Sequence, residues 1–213
     1  ELISVNNNEP AGLLKVAAPV ALGQFMLSNH LHEFASEHPK VNVELTLSDD
    51  VVDLTQQGFD VAIRSKKVSQ HAALYSIPLG SHTRKLVASP SYLAKTKLPT
   101  DPNDLEQLNL LTYSNRNVIS RWSFSHNGVE KSIEPSAYYS SNNYYALSRA
   151  VFNGMGVANL YQYMVDENIN SGELVELLPH WQQTHRELYA VFQQRRESSP
   201  KLDAFLSFLQ RLF

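Results

Sequence analysis

The succession of apolar runs between Leu13 and Arg64 constrains this chain more than any other feature. Leu13 to Ala18 reads as a short buried strand ended by Pro19, whose fixed φ suits the first turn of a following helix. Leu27, Leu31, Phe34 and Ala35 recur with helical spacing and predict an amphipathic helix over 22–37, stopped at His38-Pro39. Val41, Val43, Leu45 and Leu47 then alternate with Asn42, Glu44, Thr46 and Ser48, the period-two pattern of a strand with one face more exposed. A short helix over 53–57 closes at Gly58, and Phe59 to Arg64 is a third strand. Strand, helix, strand, helix, strand implies parallel βαβ units, so the fold class is α/β.

The rest of the chain continues in that style. Arg84 to Ser89 reads as a strand, 91–95 and 101–107 as short helices on either side of the loop Pro99 to Pro102, and Leu108 to Tyr113 as a strand. Trp122 to Ser125 and Val129 to Ile133 flank His126-Asn127-Gly128, and an Asn-Gly pair between two such runs predicts a hairpin because both central residues need positive φ. A helix over 143–153 closes at Gly154, Glu187 to Phe192 is a strand, and Pro200 to Phe213 is a helix with Leu202, Phe205, Leu206, Leu209 and Leu212 on one stripe. No internal repeat is visible.

Composition excludes several classes. With 213 residues and 43% apolar content the chain can bury a sizeable core. The 18 Lys and Arg against 21 Asp and Glu give a net charge of −3, without the basic stripe that phosphate tracking needs. Zero cysteines exclude disulfides, thiolate metal sites and a cysteine nucleophile. No apolar run approaches the roughly 18 residues of a membrane span, which suggests a cytoplasmic protein without a membrane partner. His30 and His32 point about 200° apart on a helix and cannot grip one metal, while His30 with Glu33 reads as a solvated face. Ser89 and Ser91 lack the Gly-x-Ser-x-Gly elbow, and Gly154-Met155-Gly156 follows a helix, the wrong context for a dinucleotide loop. The expectation is no catalytic residue, no metal and no cofactor. The Tyr138-Tyr139 and Tyr144-Tyr145 pairs fit packing better than base stacking.

Asp60-Val61-Ala62-Ile63-Arg64 followed by Leu86-Val87-Ala88-Ser89-Pro90-Ser91-Tyr92-Leu93 resembles the C-terminal effector-binding domain of LysR-type transcriptional regulators. Pro10 to Pro19, Ser141-Asn142-Asn143 with Ala150-Val151, Gly154 to Ala158, Gly172 to Val175 and Leu177 to Trp181 extend the resemblance along nearly the whole chain. It implies the type 2 periplasmic-binding-protein fold: two Rossmann-like lobes joined by two crossover strands, with the ligand in the cleft between them. Residues 1–11 would end a linker, 12–85 with 190–213 form the first lobe, and 86–189 the second. It further implies a small-molecule effector, an organic acid being one candidate, and a homodimer or homotetramer paired through the 22–37 and 143–153 helices. DNA would be bound only through a winged helix-turn-helix N-terminal to this segment. A solute-binding protein serving a transporter shares the fold and is the alternative.

Projected onto this sequence, the resemblance gives three candidate walls for the ligand. The first is Pro19, Val20 and Ala21, where relatives carry a Ser or Thr; without a hydroxyl only backbone N–H groups remain, which disfavours a tightly held inorganic anion. The second is Ser48 and Asp49 with Arg64 and Ser65. Arg64 either takes a ligand carboxylate or caps a strand end and pairs with Asp49 or Asp60. The third is Ser141, Asn142 and Asn143 at the start of a helix, where Ser141 and Asn142 are equally good N-cap types, with Asn115 as a weaker addition.

Overall fold

The computed structural model describes residues 9–65, 74–115 and 121–213. In chain order its main elements are β1 (Gly12–Ala18), α1 (Val20–Leu22), α2 (Ser28–Glu37), β2 (Val41–Leu47), α3 (Leu54–Gln57), β3 (Val61–Arg64), β4 (Tyr75–His82), β5 (Arg84–Ala88) and α4 (Pro90–Leu93). There follow β6 (Leu110–Tyr113), β7 (Trp122–His126), β8 (Val129–Ile133), β9 (Ala137–Ser141), α5 (Tyr144–Phe152), β10 (Val157–Tyr161) and α6 (Gln162–Ser171). The chain closes with β11 (Val175–Leu177), β12 (Gln182–Gln183), β13 (Arg186–Phe192) and α7 (Pro200–Leu212). Most of the expected linker end lies outside the described residues; Glu9, within them, pairs with Lys40 at 2.7 Å.

Two compact units result, Glu1–Ser81 with Glu187–Phe213, and His82–Arg186. The first is built on a sheet of order β2-β1-β3-β13-β4. Its β1 runs parallel to both β2 and β3, as the βαβ pattern requires, and β13 returns antiparallel to β3. Lys201, Leu202 and their neighbours on α7 pack the sheet from one side, with Leu202, Phe205, Leu206, Phe208 and Leu209 buried. Phe208 joins the expected stripe, and Leu212 is only half-buried. The Phe34 ring on α2 meets Phe205 edge-on at 5.1 Å and Phe208 at 5.4 Å, the geometry aromatic quadrupoles favour. Asp60 locks the base of this unit by accepting the Lys15 backbone N–H at 2.8 Å and the Lys201 ammonium at 3.1 Å.

One local departure matters. The predicted single helix over 22–37 contains a wide π turn, Gly23–Leu27, between α1 and α2. The Gly23 carbonyl accepts the Ser28 backbone N–H across the wide turn and also the Ser28 hydroxyl at 2.7 Å. On α2 only Phe34 is fully buried, and Ala35 faces outward.

The second unit holds a sheet of order β11-β5-β10-β6-β9 and a smaller sheet of order β12-β7-β8. β10 lies parallel to β6 but antiparallel to β5. The Asn127-Gly128 hairpin forms as predicted, both residues at positive φ (49° and 79°). Inward residues of both sheets, among them Leu86, Leu110, Trp122, Phe124 and Val157, make one core together with Leu105. The 101–107 segment is a 3-10 turn, Pro102–Gln107, started by a reciprocal Asp101–Asp104 capping box. Gly156 brings β10 against the chain entering β6: a Cβ there would stand 2.1 Å from the Asn109 carbonyl oxygen, which accepts the Val157 N–H at 2.8 Å.

Candidate functional site

Parallel strands deliver their carboxyl ends to one edge of a sheet, where the following turns and helix starts carry polar groups. In the first unit that edge is formed by Ala18-Pro19, Leu47-Ser48 and Arg64-Ser65, fixed by the in-register pairing of Ala18 with Leu47 and of Ala17 with Ala62. The Ser48 N–H extends the ladder to the Ala18 carbonyl at 3.0 Å, and the Ser48 hydroxyl accepts the Asp50 N–H at 3.1 Å. The turn thereby swings Asp49 to the helix start, where its carboxylate accepts the Val20 N–H at 3.0 Å. Pro19 and Val20 are half-buried at this edge, and Ala21 sits in the core with 3% exposure, so its side chain faces packing rather than solvent. The helix start offers donors, as expected, and the protein's own anion already takes one of them.

Asp60, one of the two carboxylates open to Arg64 from sequence, is held instead by Lys201 and the Lys15 N–H. The Arg64 guanidinium donates to the Val52 carbonyl. Burial lowers its pKa, opposed by the charge of Asp53. Asp53 in turn caps α3, accepting the Thr55 and Gln56 N–H groups at 2.9 and 3.0 Å. Ser65 is exposed.

In the second unit the corresponding edge carries Tyr113 to Asn115 after β6 and Ser141 to Asn143 after β9, with Tyr113 and Ser141 paired in register. The Ser114 N–H donates to the Ser141 carbonyl at 3.0 Å. Asn143 caps α5, accepting the Ala146 N–H at 3.1 Å, while the Ser141 hydroxyl accepts the Asn143 N–H at 3.1 Å. Both polar side chains thus serve the helix start. Asn142 between them is exposed, and Asn115 is half-buried.

A further group at this edge escaped the sequence reading. Arg84, opposite Tyr161 in the β5–β10 pair, donates to the hydroxyls of Tyr144 at 2.9 Å and Tyr161 at 3.1 Å. Its guanidinium stands 4.7 Å from the Tyr161 ring centroid, and Tyr113 stacks on Tyr144 at 4.4 Å. Burial works against the Arg84 charge, but Tyr144 and Tyr161 outweigh it and its pKa rises. Burial also pushes the Tyr144 phenol well up, so it remains a neutral donor and acceptor. Tyr144 is 6% exposed whereas Tyr145 is 55% exposed, so the two halves of that pair do different work. His82 lies with its ring edge toward Tyr161, 4.9 Å between centroids. Burial, with Arg84 and Arg186 nearby, lowers its pKa to about 4 and leaves it neutral at pH 7. A basic residue opening a strand was the available signal, but its tyrosine partners come from segments 60 and 77 positions away.

The arrangement offers hydrogen-bond donors and acceptors that can bind a ligand. Among the described residues no group of three or more His, Asp or Glu could hold a metal, and no helix is long and apolar enough to cross a membrane. His30 and Glu33 form a 2.9 Å pair on an exposed helix face, and the hydrogen bond from His30 lowers the Glu33 pKa.

The family model described as the LysR substrate binding domain matches residues 7–213. An uncharacterized HTH-type transcriptional regulator of Haemophilus influenzae is 30% identical over 185 residues, which is 87% of this chain and 64% of that protein. The HTH-type transcriptional activator AaeR of Escherichia coli is 28% identical, covering 97% of this chain and 67% of its own length. The chain spans 64% of the length of that Haemophilus regulator and of PtxR from Pseudomonas aeruginosa. In structure the chain is similar to the regulatory domain of CrgA, a LysR-type transcriptional regulator from Neisseria meningitidis, with TM-score 0.85 and 22% identity over 96% of this chain and 100% of that one. It is also similar to the regulatory domain of AphB in Vibrio vulnificus, with TM-score 0.77 and 26% identity over 93% of this chain and 97% of that one.

Proposed function

Because the chain belongs to the LysR substrate-binding domain family, we propose that it senses a small-molecule effector on behalf of a DNA-binding transcriptional regulator, without turning the effector over. The two strand-end edges supply the contacts: Pro19, Val20, Ser48, Asp49, Arg64 and Ser65 in one unit, and Asn115, Ser141, Asn142 and Asn143 in the other. Ala21 takes part through its backbone alone. Effector binding stabilises one arrangement of the protein over another, and the difference is passed to a winged helix-turn-helix in the full-length regulator. We further propose a cytoplasmic homodimer or homotetramer, paired through α2 and α5, which sedimentation analysis tests. The relatives reported above are regulators by name, so the transport reading is not developed.

The observation that carries this reading is the 3.0 Å hydrogen bond from Val20 N–H to Asp49. The helix start is a donor site by construction, and it is kept filled by an exposed side chain that a ligand can displace. An effector engaging this edge therefore exchanges with Asp49, and a neutral or cationic group is favoured next to the carboxylate. The test is thermal stability against a panel of organic acids, amino acids and aromatic compounds; a ligand at a hundredfold excess over its Kd adds about 2.7 kcal/mol. One chemical class should raise Tm, the shift should vanish in Arg64→Ala or Asn142→Ala, and Asp49→Asn should move the preference toward acids. A stabilising compound whose effect survives all three substitutions would refute this placement of the site.

A further inference from the structure

Within the second unit, and apart from the proposed effector contacts, lies a cavity of about 110 Å³, several times what one water needs. It is lined by His82, Arg84, Arg121, Asn159, Thr184 and Arg186, among others, and among the described residues no carboxylate lines it. Three guanidinium groups around one cavity concentrate positive charge in a chain whose net charge is −3. Among the described residues only Arg121 has an acidic partner there, Glu134 at 2.7 Å on the exposed side of the hairpin. Arg84 is held by tyrosine hydroxyls, which carry no compensating charge at neutral pH.

The polar groups behind these cations are incompletely satisfied. Asn159, 7% exposed, gives its amide N–H to Gln183 at 2.8 Å and leaves its other amide atom without a partner. Arg84 Nε and His82 Nδ1 are likewise buried and unpartnered in the protein. Buried polar atoms without partners are rare, and three around one cavity point to a ligand or ordered water that completes them.

The topology gives the position meaning. His82 is the first residue of the second unit and Arg186 the last, so the two places where the chain passes between units both open onto this cavity. The strands that carry them, β4 and β13, are neighbours in the first unit's sheet. We propose that this cavity is a binding site for a small oxyanion, a phosphate or a carboxylate group, which fastens the two connecting strands to each other. Planar guanidinium groups suit either anion through bidentate hydrogen bonds, and Thr184 with Asn159 offers neutral partners for a second polar group on the ligand. The adjoining groove of about 560 Å³, which shares Arg121, Ser123, Gln183 and Thr184 with the cavity, leaves room for the remainder of an organic anion.

The test is titration of the protein with inorganic phosphate and, separately, with malonate at constant ionic strength, followed by two-dimensional NMR. Saturable shifts should centre on the His82 ring and the Asn159 and Thr184 amides. The exposed Arg186→Glu should weaken binding at least tenfold, whereas Lys95→Glu, the same charge change elsewhere on the unit, should leave it within twofold. Arg121→Gln provides a second lining variant if Arg186→Glu folds poorly. Phosphate binding alone identifies an inorganic or phosphoryl ligand, and malonate binding alone a carboxylate. Absence of saturable shifts with both anions, or equal weakening by Arg186→Glu and Lys95→Glu, would overturn the proposal.

Discussion

His82 gives the structure a pH dependence that can be worked out before it is measured. An unfolded histidine titrates near pH 6.5, whereas burial and the neighbouring Arg84 and Arg186 lower the folded value to about 4. Above about pH 6.5 the side chain is neutral in both states and contributes no pH dependence. As pH falls below that value the unfolded chain takes up a proton that the folded chain refuses, so stability declines until about pH 4 and then levels off. Full expression of the shift would cost about 3.4 kcal/mol across this window. His82 is only partly buried, and solvent screening reduces the expected loss to roughly 1–2 kcal/mol. Urea unfolding of the wild type and of His82→Asn at about pH 7 and about pH 4.5 isolates the term, because the carboxylates titrate alike in both proteins. The wild type should lose roughly 1–2 kcal/mol more than the variant on acidification. Equal losses would show that burial and the neighbouring Arg84 and Arg186 do not hold His82 neutral.

Other expectations follow from packing. Gly156→Ala must push a methyl against the Asn109 carbonyl, and since that atom is backbone the loss should reach or exceed the ~1–3 kcal/mol of ordinary overpacking, read as a fall in Tm. Phe205→Ala, which empties the fully buried contact with Phe34 and Phe208, should cost ~3–5 kcal/mol by urea unfolding. Asn143→Ala removes the α5 cap and should cost ~1 kcal/mol, whereas Asn142→Ala next to it, exposed and outside the cap, should leave stability unchanged.

Local patterns carried the parts of the fold that local physics determines. The βαβ order, the Asn127-Gly128 hairpin, the Asp53 and Asn143 helix starts and the α7 stripe were readable because each depends on residues within one turn or one alternation. β4 was missed because Pro78 and Gly80 interrupt it, the composition of a broken strand. α6 was missed because only Met164 and Val165 of its ten residues are buried and no side chain caps its start. The π turn at Gly23–Leu27 has no sequence period of its own. The residues chosen by resemblance lie at the strand-end edges; a cap in the 141–143 segment was legible, but that Asn143 is the cap, that Ser141 accepts the Asn143 N–H and that Arg64 donates to a carbonyl were not. The Arg84–Tyr144–Tyr161 group and the cavity beside it depend on strand register, which a single sequence does not disclose.

If the effector binds at this edge as proposed, the Asp49–Val20 hydrogen bond also sets the working range of its recognition. Asp49 is a competitor tethered to its own target, present at an effective concentration of order millimolar for a short connection. An acidic ligand seeking the same N–H must outcompete it and is bound more weakly in proportion, while a ligand that accepts the carboxylate as a partner avoids that competition altogether. On that proposal the side chain acts as a threshold, keeping the helix start from the anions that are always present in solution.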